Sequence, residues 1–324
     1  MKSMIVSQNY NLSAKGTPSP QTPHSKLQTH YGGNCFLITL HEKAWAKLNI
    51  SLDVAERRAD GYHDMTMVMQ TVSLCDEISI AFNESGRVQA RSSFSFVPGD
   101  ERNLAVRAAL CYLRETGHEG QGMFITLDKR VPVGAGMGGG SSDAAAVLRA
   151  LNRHYAALSP EALEALSAQV GSDVPFCVRG GTALATGRGE KLESLPDMPE
   201  CAFLICKPDF SISTPELFRR LDQCSTRCHP DTAGLVAALE SGSLDQVCRR
   251  MYNVFEDIDD RRMRTVKEIK GALLDYGALG AVMTGTGSAV FGVFRPGTIP
   301  DEAIHTLRRE YGFCETAVCV GRTD

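Results

Sequence analysis

The chain lacks the marks of a membrane, secreted or nucleic-acid-binding protein. No apolar run among its residues approaches the length of about 18 residues that a membrane-spanning helix needs. Its eleven cysteines form no C-x-x-C pair and no secretory signal is recognisable, so we expect reduced thiols and a cytoplasmic location. The net charge of −4 offers no basic surface to a nucleic acid. Neither a membrane nor a nucleic acid is therefore an expected partner.

Acidic residues are absent from the first 41 residues, which are rich in Ser, Thr, Asn, Gln and Pro. Such a composition buries too little apolar surface to offset the entropy of ordering, so we expect residues 1–41 to form a disordered tail. Acid-poor, Ser-rich leaders are also typical of organelle transit peptides, and a plastid location is the weaker alternative. The segment contains no arginine and no clear amphipathic helix, which favours a solvated tail and the cytoplasm.

A run rich in glycine is the strongest local signal. Residues 132–143 read PVGAGMGGGSSD, with five glycines within seven residues. An apolar stripe at helical spacing follows, and Ser141, Ser142 and Asp143 are residue types that cap helix N-termini. A flexible loop before a helix N-terminus offers free N–H groups and the positive end of a dipole, which together favour phosphate. The alternative is a glycine-rich turn that only precedes a capped core helix.

The better-known phosphate loops do not fit this run. No G-K-[ST] follows the glycines, which excludes a Walker A loop, and the H-R-D and D-F-G motifs of protein kinases are absent. Gly134, Gly136 and Gly139 match the dinucleotide pattern G-x-G-x-x-G only weakly, because Pro132 separates them from the strand predicted at residues 123–127. What remains is a phosphate site that uses a helix N-terminus and serines in place of a loop lysine.

Two further segments resemble motifs of a known family. Residues 44–63 read AWAKLNISLDVAERRADGYH, and residues 284–291 read TGTGSAVF. Together with the glycine run they resemble the three motifs of the GHMP small-molecule kinases. The run RRADGYH, with GSDVP at residues 171–175 and NVFE at 253–256, is similar to the members that phosphorylate a cytidine diphosphate alcohol in the non-mevalonate isoprenoid pathway. The resemblance covers roughly residues 42–324, nearly the whole chain.

A chain of this length usually folds as two domains. In the second half, the predicted order strand, helices, strand, strand, helix, strand is that of a ferredoxin-like domain. The resemblance implies the α+β fold of the GHMP kinases: an N-terminal S5-like domain with the ATP phosphate loop at residues 42–196, and a C-terminal ferredoxin-like domain at 197–324, with both substrates in the cleft between them. The predicted helices cover residues 103–117, 233–240, 244–252, 261–276 and 301–310, besides one that opens at Ser159 and Pro160 and one after the glycine run. The predicted strands cover residues 35–40, 46–54, 67–74, 77–82, 123–127, 182–187, 202–206, 281–283, 289–294 and 316–320.

Phosphoryl transfer to an alcohol needs alignment, charge neutralisation and an acceptor for the hydroxyl proton. The resemblance assigns the acceptor to Asp173, as general base, and a second catalytic role to Lys47, which would keep that carboxylate ionised or balance the phosphoryl charge. On the residues alone, Asp173 before Val174 and Pro175 could simply cap a short helix, and Lys47 could be a surface lysine at a strand end. Family members usually carry proline two residues before this lysine, where this chain has Trp45, its only tryptophan.

The resemblance implies ATP and Mg²⁺ as cofactors, with residues 284–288 closing the phosphate side from the second domain. Ser141 or Ser142 could reach the magnesium ion, which keeps several waters and few protein ligands, so no dedicated metal ligands are predicted. The predicted ATP-binding residues form one continuous run: Pro132, Val133, Gly134, Ala135, Gly136, Met137, Gly138, Gly139, Gly140, Ser141 and Ser142.

Aromatic and polar residues are assigned to the cytidine end of the substrate. The resemblance pairs Tyr62 and His63 with the cytosine ring, since a tyrosine can stack on a base and a histidine can hydrogen-bond its edge. Phe218 fits the second face of the base, Thr214 fits a polar contact and Asn49 fits a substrate hydroxyl. The alternative for Phe218 is core packing on its neighbouring leucine.

Two other functions stay open. The first is another GHMP kinase, acting on homoserine, mevalonate or a sugar, against which the Gly61-Tyr62-His63 run and Phe218 argue. The second is a non-catalytic nucleotide-binding regulator on the same fold, against which Lys47 and Asp173 argue. The expected partners are a small-molecule cytidine diphosphate alcohol and ATP, and the chain is expected to be a monomer or a homodimer.

Overall fold

The computed structural model describes residues 30–31, 34–35, 38–59, 61–224 and 228–322. The strands are β1 His30–Tyr31, β2 Asn34–Cys35, β3 Thr39–Arg57, β4 His63–Asn83, β5 Val88–Ser92, β6 Gly122–Asp128, β7 Thr182–Gly187, β8 Lys191–Ser194, β9 Ala202–Lys207, β10 Tyr252–Asn253, β11 Gly280–Met283, β12 Val290–Phe294 and β13 Phe313–Val318. The helices are α1 Leu104–Glu115, α2 Gly139–Tyr155, α3 Pro160–Ser167, α4 Val174–Arg179, α5 Thr214–Leu221, α6 Thr232–Glu240, α7 Leu244–Cys248, α8 Arg261–Asp275 and α9 Asp301–Tyr311.

The first sheet is built on two long antiparallel strands, β3 and β4. On the far side of β4 lie β6 and then β5, while β7 pairs with the first part of β4 and carries β8. Separate strands are predicted at residues 67–74 and 77–82, but the ladder from β4 to β3 continues through residues 75–77 and makes them one strand. Backbone N–H and C=O groups pair whatever side chains they carry, so the polar residues that interrupt the apolar pattern at 76–77 do not end the strand.

Helices α1 and α2 pack on each other, and α2 packs on β3 and β4. Asn103 caps α1 by accepting the N–H of Ala105 at 2.9 Å. Ser159 caps α3 with Pro160 in the first position, as predicted. The eight-residue helix α5 was not predicted, because so few residues carry no clear helical period. The six-residue helix α4 was predicted only in the alternative interpretation of Asp173 as the start of a short helix.

The second sheet has the strand order β11-β12-β9-β13, with every neighbouring pair antiparallel. In chain order β9, β11, β12 and β13 are its first to fourth strands, so the sheet has the split arrangement of a ferredoxin-like domain. The predicted α+β class and this second-half topology are confirmed. The helix predicted at residues 244–252 is too long: α7 ends at Cys248, and Tyr252–Asn253 joins the first sheet instead.

The two halves of the chain are interlocked. Strand β10 comes from the second half but pairs in parallel with β3. Val72 of β4 forms a bridge with Cys319, and Gly180 forms one with Arg322, near the end of the described chain. Between the sheets, β8 ends at Ser194 and β9 begins at Ala202, and the domain boundary at residues 196–197 stays a prediction.

Most of the predicted tail, residues 1–41, lies outside the described residues. Within it the structure describes β1, β2 and the first three residues of β3, and the boundary at residue 41 stays a prediction. No helix within the described ranges is long and apolar enough to cross a membrane.

Candidate active site

Three glycines shape the loop that leads into α2, residues 132–138, which we call the glycine loop. Gly134, Gly136 and Gly138 have φ angles of +67°, +75° and +70°, a region that L side chains rarely adopt. Gly138 is the N-cap residue of α2, and no side chain caps the helix there. The N–H groups of the first turn therefore point toward the loop without a capping partner, as an anion site requires.

Ser141 and Ser142, predicted as caps together with Asp143, lie inside α2 because the helix already begins at Gly139. Ser142 is buried, and its hydroxyl donates to the Sγ of Cys177 at 3.5 Å. Burial raises the pKa of that thiol to about 12, so it stays protonated. Ser141 is half-buried and borders a cavity, so it is the serine that a ligand can reach.

The glycine loop packs against a second loop, residues 284–288, from the other half of the chain. A Cβ on Gly136 would lie 2.1 Å from the carbonyl oxygen of Thr284, so only glycine fits at this contact. The hydroxyl of Thr284 donates to the carbonyl of Gly136 at 3.3 Å, and the N–H of Ala289 donates to the carbonyl of Ala135 at 3.2 Å. The two halves meet here backbone to backbone.

A cavity of about 480 Å³ lies beside the glycine loop, within the size range of small-molecule sites. We call it the larger cavity, because a smaller one of about 190 Å³ adjoins it. All predicted ATP-binding residues except Ser142 line it. The remaining lining residues come from the loop before α1 and its first residue, the segment after β6, helix α2, the segment that enters α5, and the second loop: Phe96, Val97, Pro98, Arg102, Asn103, Leu104, Lys129, Val131, Asp143, Ile212, Thr214, Thr286 and Gly287.

Lys47 and Asp173 come together although they are far apart in the sequence. The Nζ of Lys47 lies 3.6 Å from the Oδ2 of Asp173 and donates to the Oδ1 of Asn49 at 2.5 Å. Asp173 occupies the N-cap position of α4, but its side chain accepts no capping hydrogen bond. The Lys47 side chain is 5% exposed and that of Asp173 is 30% exposed. Lys47 is therefore not a surface lysine, and Asp173 faces the lysine and open space instead of its own helix.

The Lys47–Asp173 pair borders a second, smaller cavity of about 190 Å³. Four residues line both this cavity and the larger one, so the two adjoin: Gly136, Gly138, Thr214 and Thr286. The complete lining of the smaller cavity is Lys47, Leu52, Met65, Met67, Gly136, Gly138, Asp173, Thr214, Phe218, Phe255, Gly285 and Thr286.

Asn49 lies behind Lys47 and lines neither cavity. Its side chain is fully buried, accepts from Lys47, and lies 3.4 Å from the hydroxyl of Thr284. Its backbone N–H donates to the same hydroxyl at 3.0 Å. Asn49 thus joins Lys47 to the second loop, and its contact with a substrate hydroxyl stays a prediction.

The predicted base-binding residues gather at the start of β4 and in α5. His63 stacks on Phe218, with ring centroids 5.1 Å apart and 28° between the ring planes. Phe218 also meets Phe255 edge-on at 5.0 Å, so its core contact is with an aromatic ring. Tyr62 is 56% exposed, and the guanidinium of Arg188 lies 5.0 Å from the centre of its ring. Phe218 lines the smaller cavity, whereas Tyr62 and His63 line neither cavity.

A buried charge cluster beside the glycine loop was missed by sequence reasoning. The ammonium of Lys129 forms ion pairs with Asp76 and, at 2.7 Å, with Asp143. Asp76 also accepts the N–H groups of Arg130 and Val131 at 2.5 and 2.7 Å, which fixes the segment that enters the loop. Burial raises the pKa of Asp143 to about 7, and its Oδ1 finds no partner in the described part of the chain. The one signal in the sequence was that Asp76 and Lys129 each follow a predicted apolar strand, at residues 67–74 and 123–127.

Comparisons with known proteins place the chain in a family. The models described as GHMP kinases N terminal domain and GHMP kinases C terminal match residues 103–181 and 235–312. A 4-diphosphocytidyl-2-C-methyl-D-erythritol kinase of Bacillus velezensis is 42% identical over 280 residues, which cover 86% of this chain and 95% of that protein. The protein of the same name from Listeria monocytogenes is 41% identical over 276 residues, covering 85% and 93%.

Solved structures agree with this placement. A crystal structure of 4-(cytidine 5'-diphospho)-2C-methyl-D-erythritol kinase is 33% identical, with a TM-score of 0.73 over 87% of this chain and 100% of that chain. A homoserine kinase from Cytophaga hutchinsonii is 20% identical, with a TM-score of 0.69 over 88% and 95%, and shares the fold. The chain therefore belongs to the GHMP kinase family of small-molecule kinases, within the group of 4-diphosphocytidyl-2-C-methyl-D-erythritol kinases.

Proposed function

We propose that this protein transfers the γ-phosphoryl group of ATP to the 2-hydroxyl of 4-diphosphocytidyl-2-C-methyl-D-erythritol. The observation that carries the proposal is the Lys47–Asp173 pair, placed in a small cavity that adjoins the glycine loop on one side and reaches Phe218 on the other. An ammonium and a carboxylate between an anion site and an aromatic residue suit the phosphorylation of an alcohol that carries a base.

The larger cavity is the proposed ATP site. The uncapped first turn of α2 offers N–H groups and the positive end of its dipole to the β- and γ-phosphates. Loop 284–288 closes the same site from the other half of the chain. No group of three or more His, Cys, Asp or Glu side chains within the described residues could hold a metal ion. The half-buried hydroxyl of Ser141 is the group that would contact Mg²⁺, which neutralises phosphate charge when it accompanies ATP.

The transfer step uses the Lys47–Asp173 pair. Asp173 accepts the proton of the substrate hydroxyl while the oxygen of that hydroxyl forms the new bond to the γ-phosphorus. The bond from that phosphorus to the bridging oxygen breaks, and its electron pair leaves with ADP. Lys47, held in place by Asn49 and 3.6 Å from Asp173, offsets the charge on the transferred group.

The cytidine end of the substrate is proposed to lie at Tyr62, His63 and Phe218. Tyr62 has more than half of its surface exposed and can therefore stack on a base. Thr214 lines both cavities and bonds to the hydroxyl of Thr286 at 3.0 Å, so it is placed to contact a group that lies between the two substrates.

Release of ADP tests the proposal directly. Purified protein with ATP and Mg²⁺ should release ADP when 4-diphosphocytidyl-2-C-methyl-D-erythritol is added, and not with homoserine, mevalonate or a hexose. The matched control is Asp173→Asn, which keeps the size of the side chain but cannot accept the proton. Turnover of one of the other alcohols would assign a different GHMP kinase activity, and ATP binding without turnover of any alcohol would favour the regulator.

The cytoplasmic location is also part of the proposal. The proposed reaction consumes ATP and a nucleotide-linked alcohol, and the cytoplasm is the expected source of both. The state of assembly, monomer or homodimer, stays a prediction that sedimentation of the purified chain would decide.

A further inference from the structure

One helix holds the imidazole of His63 from two directions. Phe218 of α5 stacks on the face of the ring at 5.1 Å, and Asp222, the residue after α5, reaches its edge. The Oδ1 of Asp222 lies 2.8 Å from the Nε2 of His63. Phe218 and Asp222 are one helical turn apart, joined by the bond from the Asp222 N–H to the Phe218 carbonyl at 3.0 Å. The position and the tilt of the ring are therefore both set by α5.

The Asp222 contact also decides which ring nitrogen carries the proton. An ionised carboxylate only accepts hydrogen bonds, so Nε2 must be the donor in this pair. In the neutral ring the other nitrogen, Nδ1, is then an acceptor. Nδ1 has no hydrogen-bond partner among the residues that the structure describes, although the His63 side chain is only 6% exposed. A buried imidazole that is fixed at one nitrogen and unpaired at the other has one acceptor to offer a ligand.

We propose that Asp222 is a positioning residue for base selection: it holds His63 as a hydrogen-bond acceptor, so that the site takes a cytosine and rejects a uracil. Cytosine carries an amino group at position 4, which donates, whereas uracil carries an oxygen there, which accepts. An acceptor on the protein pairs with the first and opposes the second, and a site built to pair with a polar group discriminates strongly against its absence. The inference rests on the proposed function, since it assumes that a cytidine nucleotide lies at His63.

Steady-state kinetics with the cytidine and uridine diphosphate forms of the same alcohol test the inference. Asp222→Ala should lower the ratio of the two kcat/KM values, cytidine over uridine, by about tenfold, the value of one hydrogen bond to the base. Asp222→Asn should retain the ratio, because its Oδ1 still accepts from Nε2. In Asp222→Ala the loss should appear in KM for the cytidine form, with kcat and KM for ATP unchanged. An unchanged ratio in Asp222→Ala, or an equal loss for both bases, would overturn the inference.

A second histidine–carboxylate pair supplies the control. His229 Nδ1 lies 2.9 Å from Asp53 Oδ1, almost the same distance, but the His229 side chain is 61% exposed, whereas that of His63 is 6% exposed and lies against Phe218. Asp53→Ala should therefore leave the base ratio unchanged. A fall in the ratio equal to that of Asp222→Ala would show that loss of any such pair has the same effect, and would overturn the assignment.

A spectroscopic measurement separates this inference from the proposed function. Nitrogen-15 correlation spectra of the imidazoles, assigned with His63→Gln, should show His63 neutral and protonated at Nε2 at pH 8, and should show a change of tautomer in Asp222→Ala. A Nδ1–H or doubly protonated ring in the unmodified protein would overturn the inference whatever the substrate is. If the protein turns over neither nucleotide form while the tautomer is as expected, the proposed function fails and the positioning of His63 by Asp222 stands.

Discussion

The two ends of the site are built from different materials. The glycine end, residues 132–141 with 284–287, is made of backbone, and a Cβ added at Gly136 would collide with the facing carbonyl. The aromatic end, consisting of Tyr62, His63 and Phe218, is made of side chains, and its exposed member Tyr62 has more than half of its surface in solvent. The shape of the glycine end depends on which positions of a short segment are glycine. The shape of the aromatic end depends on side chains that contact one another from distant parts of the chain.

The Lys47–Asp173 pair lies between the two ends, so a substitution in it should leave the structure of both ends intact. Asp173→Asn should lower kcat by about 10² to 10⁴, the usual contribution of a positioned proton acceptor. KM for ATP and the Tm should stay close to the original values, because Asp173 makes no capping bond whose loss would destabilise α4. Steady-state kinetics and thermal unfolding measure both.

Asp64→Asn is the matched control, since Asp64 is exposed, pairs with Arg58 at 2.9 Å and lines neither cavity. It should leave kcat unchanged. A near-normal kcat in Asp173→Asn would remove the general base from the mechanism.

Changes at the aromatic end should affect the cytidine substrate alone. Tyr62→Ala and Phe218→Ala should each raise its KM by about 5- to 150-fold, because base–aromatic stacking contributes about 1–3 kcal/mol. KM for ATP should barely move. Phe218→Ala should also lower the Tm, since Phe218 packs on Phe255, whereas the exposed Tyr62 should not.

Leu274→Ala, which removes an exposed apolar side chain from α8, is the control and should alter neither KM. If KM for ATP rises in Tyr62→Ala or Phe218→Ala instead, the two ends are assigned the wrong way round.

At the glycine end, replacing either of two glycines close in sequence by alanine should change the Tm in opposite directions. Gly136→Ala places a Cβ against the Thr284 carbonyl at a φ of +75°, so it should separate the two loops, lower the Tm and raise KM for ATP by about tenfold. Gly140→Ala lies within α2 with its nearest neighbour 3.5 Å away, so its Tm should stay or rise, since alanine is the better helix former by about 1 kcal/mol. Equal Tm values for the two variants would contradict the close approach of the loops.

The smallest effect concerns the buried cluster at the glycine end. The pKa of Asp143 is about 7 in the folded protein, above its usual value of 3.8, because burial outweighs the charge of Lys129. The folded state therefore binds the proton more tightly, and this contribution to stability is complete below pH 3.8 and is lost as the pH rises toward and through 7. Asp143→Asn, which cannot ionise, should lose fewer degrees of Tm than the unmodified protein between pH 5 and pH 8. Parallel Tm curves would show that Asp143 does not titrate in this range.

Fold and site differ in how far the sequence could predict them. The order of strands and helices along the second half and the capped start of α3 follow from local patterns, and both were predicted. The junction of β4 at residues 75–77 and the short helix α5 were not, because pairing partners and packing decide them. The predicted capping role of Ser141 and Ser142 was wrong for a similar reason: the loop conformation lets the helix begin at Gly139.

The sequence by itself determined the family and the glycine loop, and it indicated Lys47 and Asp173 as candidate catalytic residues, since spacing and residue type are properties of short segments. Only the tertiary structure decided that Asn49 is buried against Lys47, that Ser141 and not Ser142 is open, and that Asp222 reaches His63. The physical reason is distance along the chain: His63 and Asp222 are 159 residues apart, and no local pattern records which distant side chain will complete a hydrogen bond.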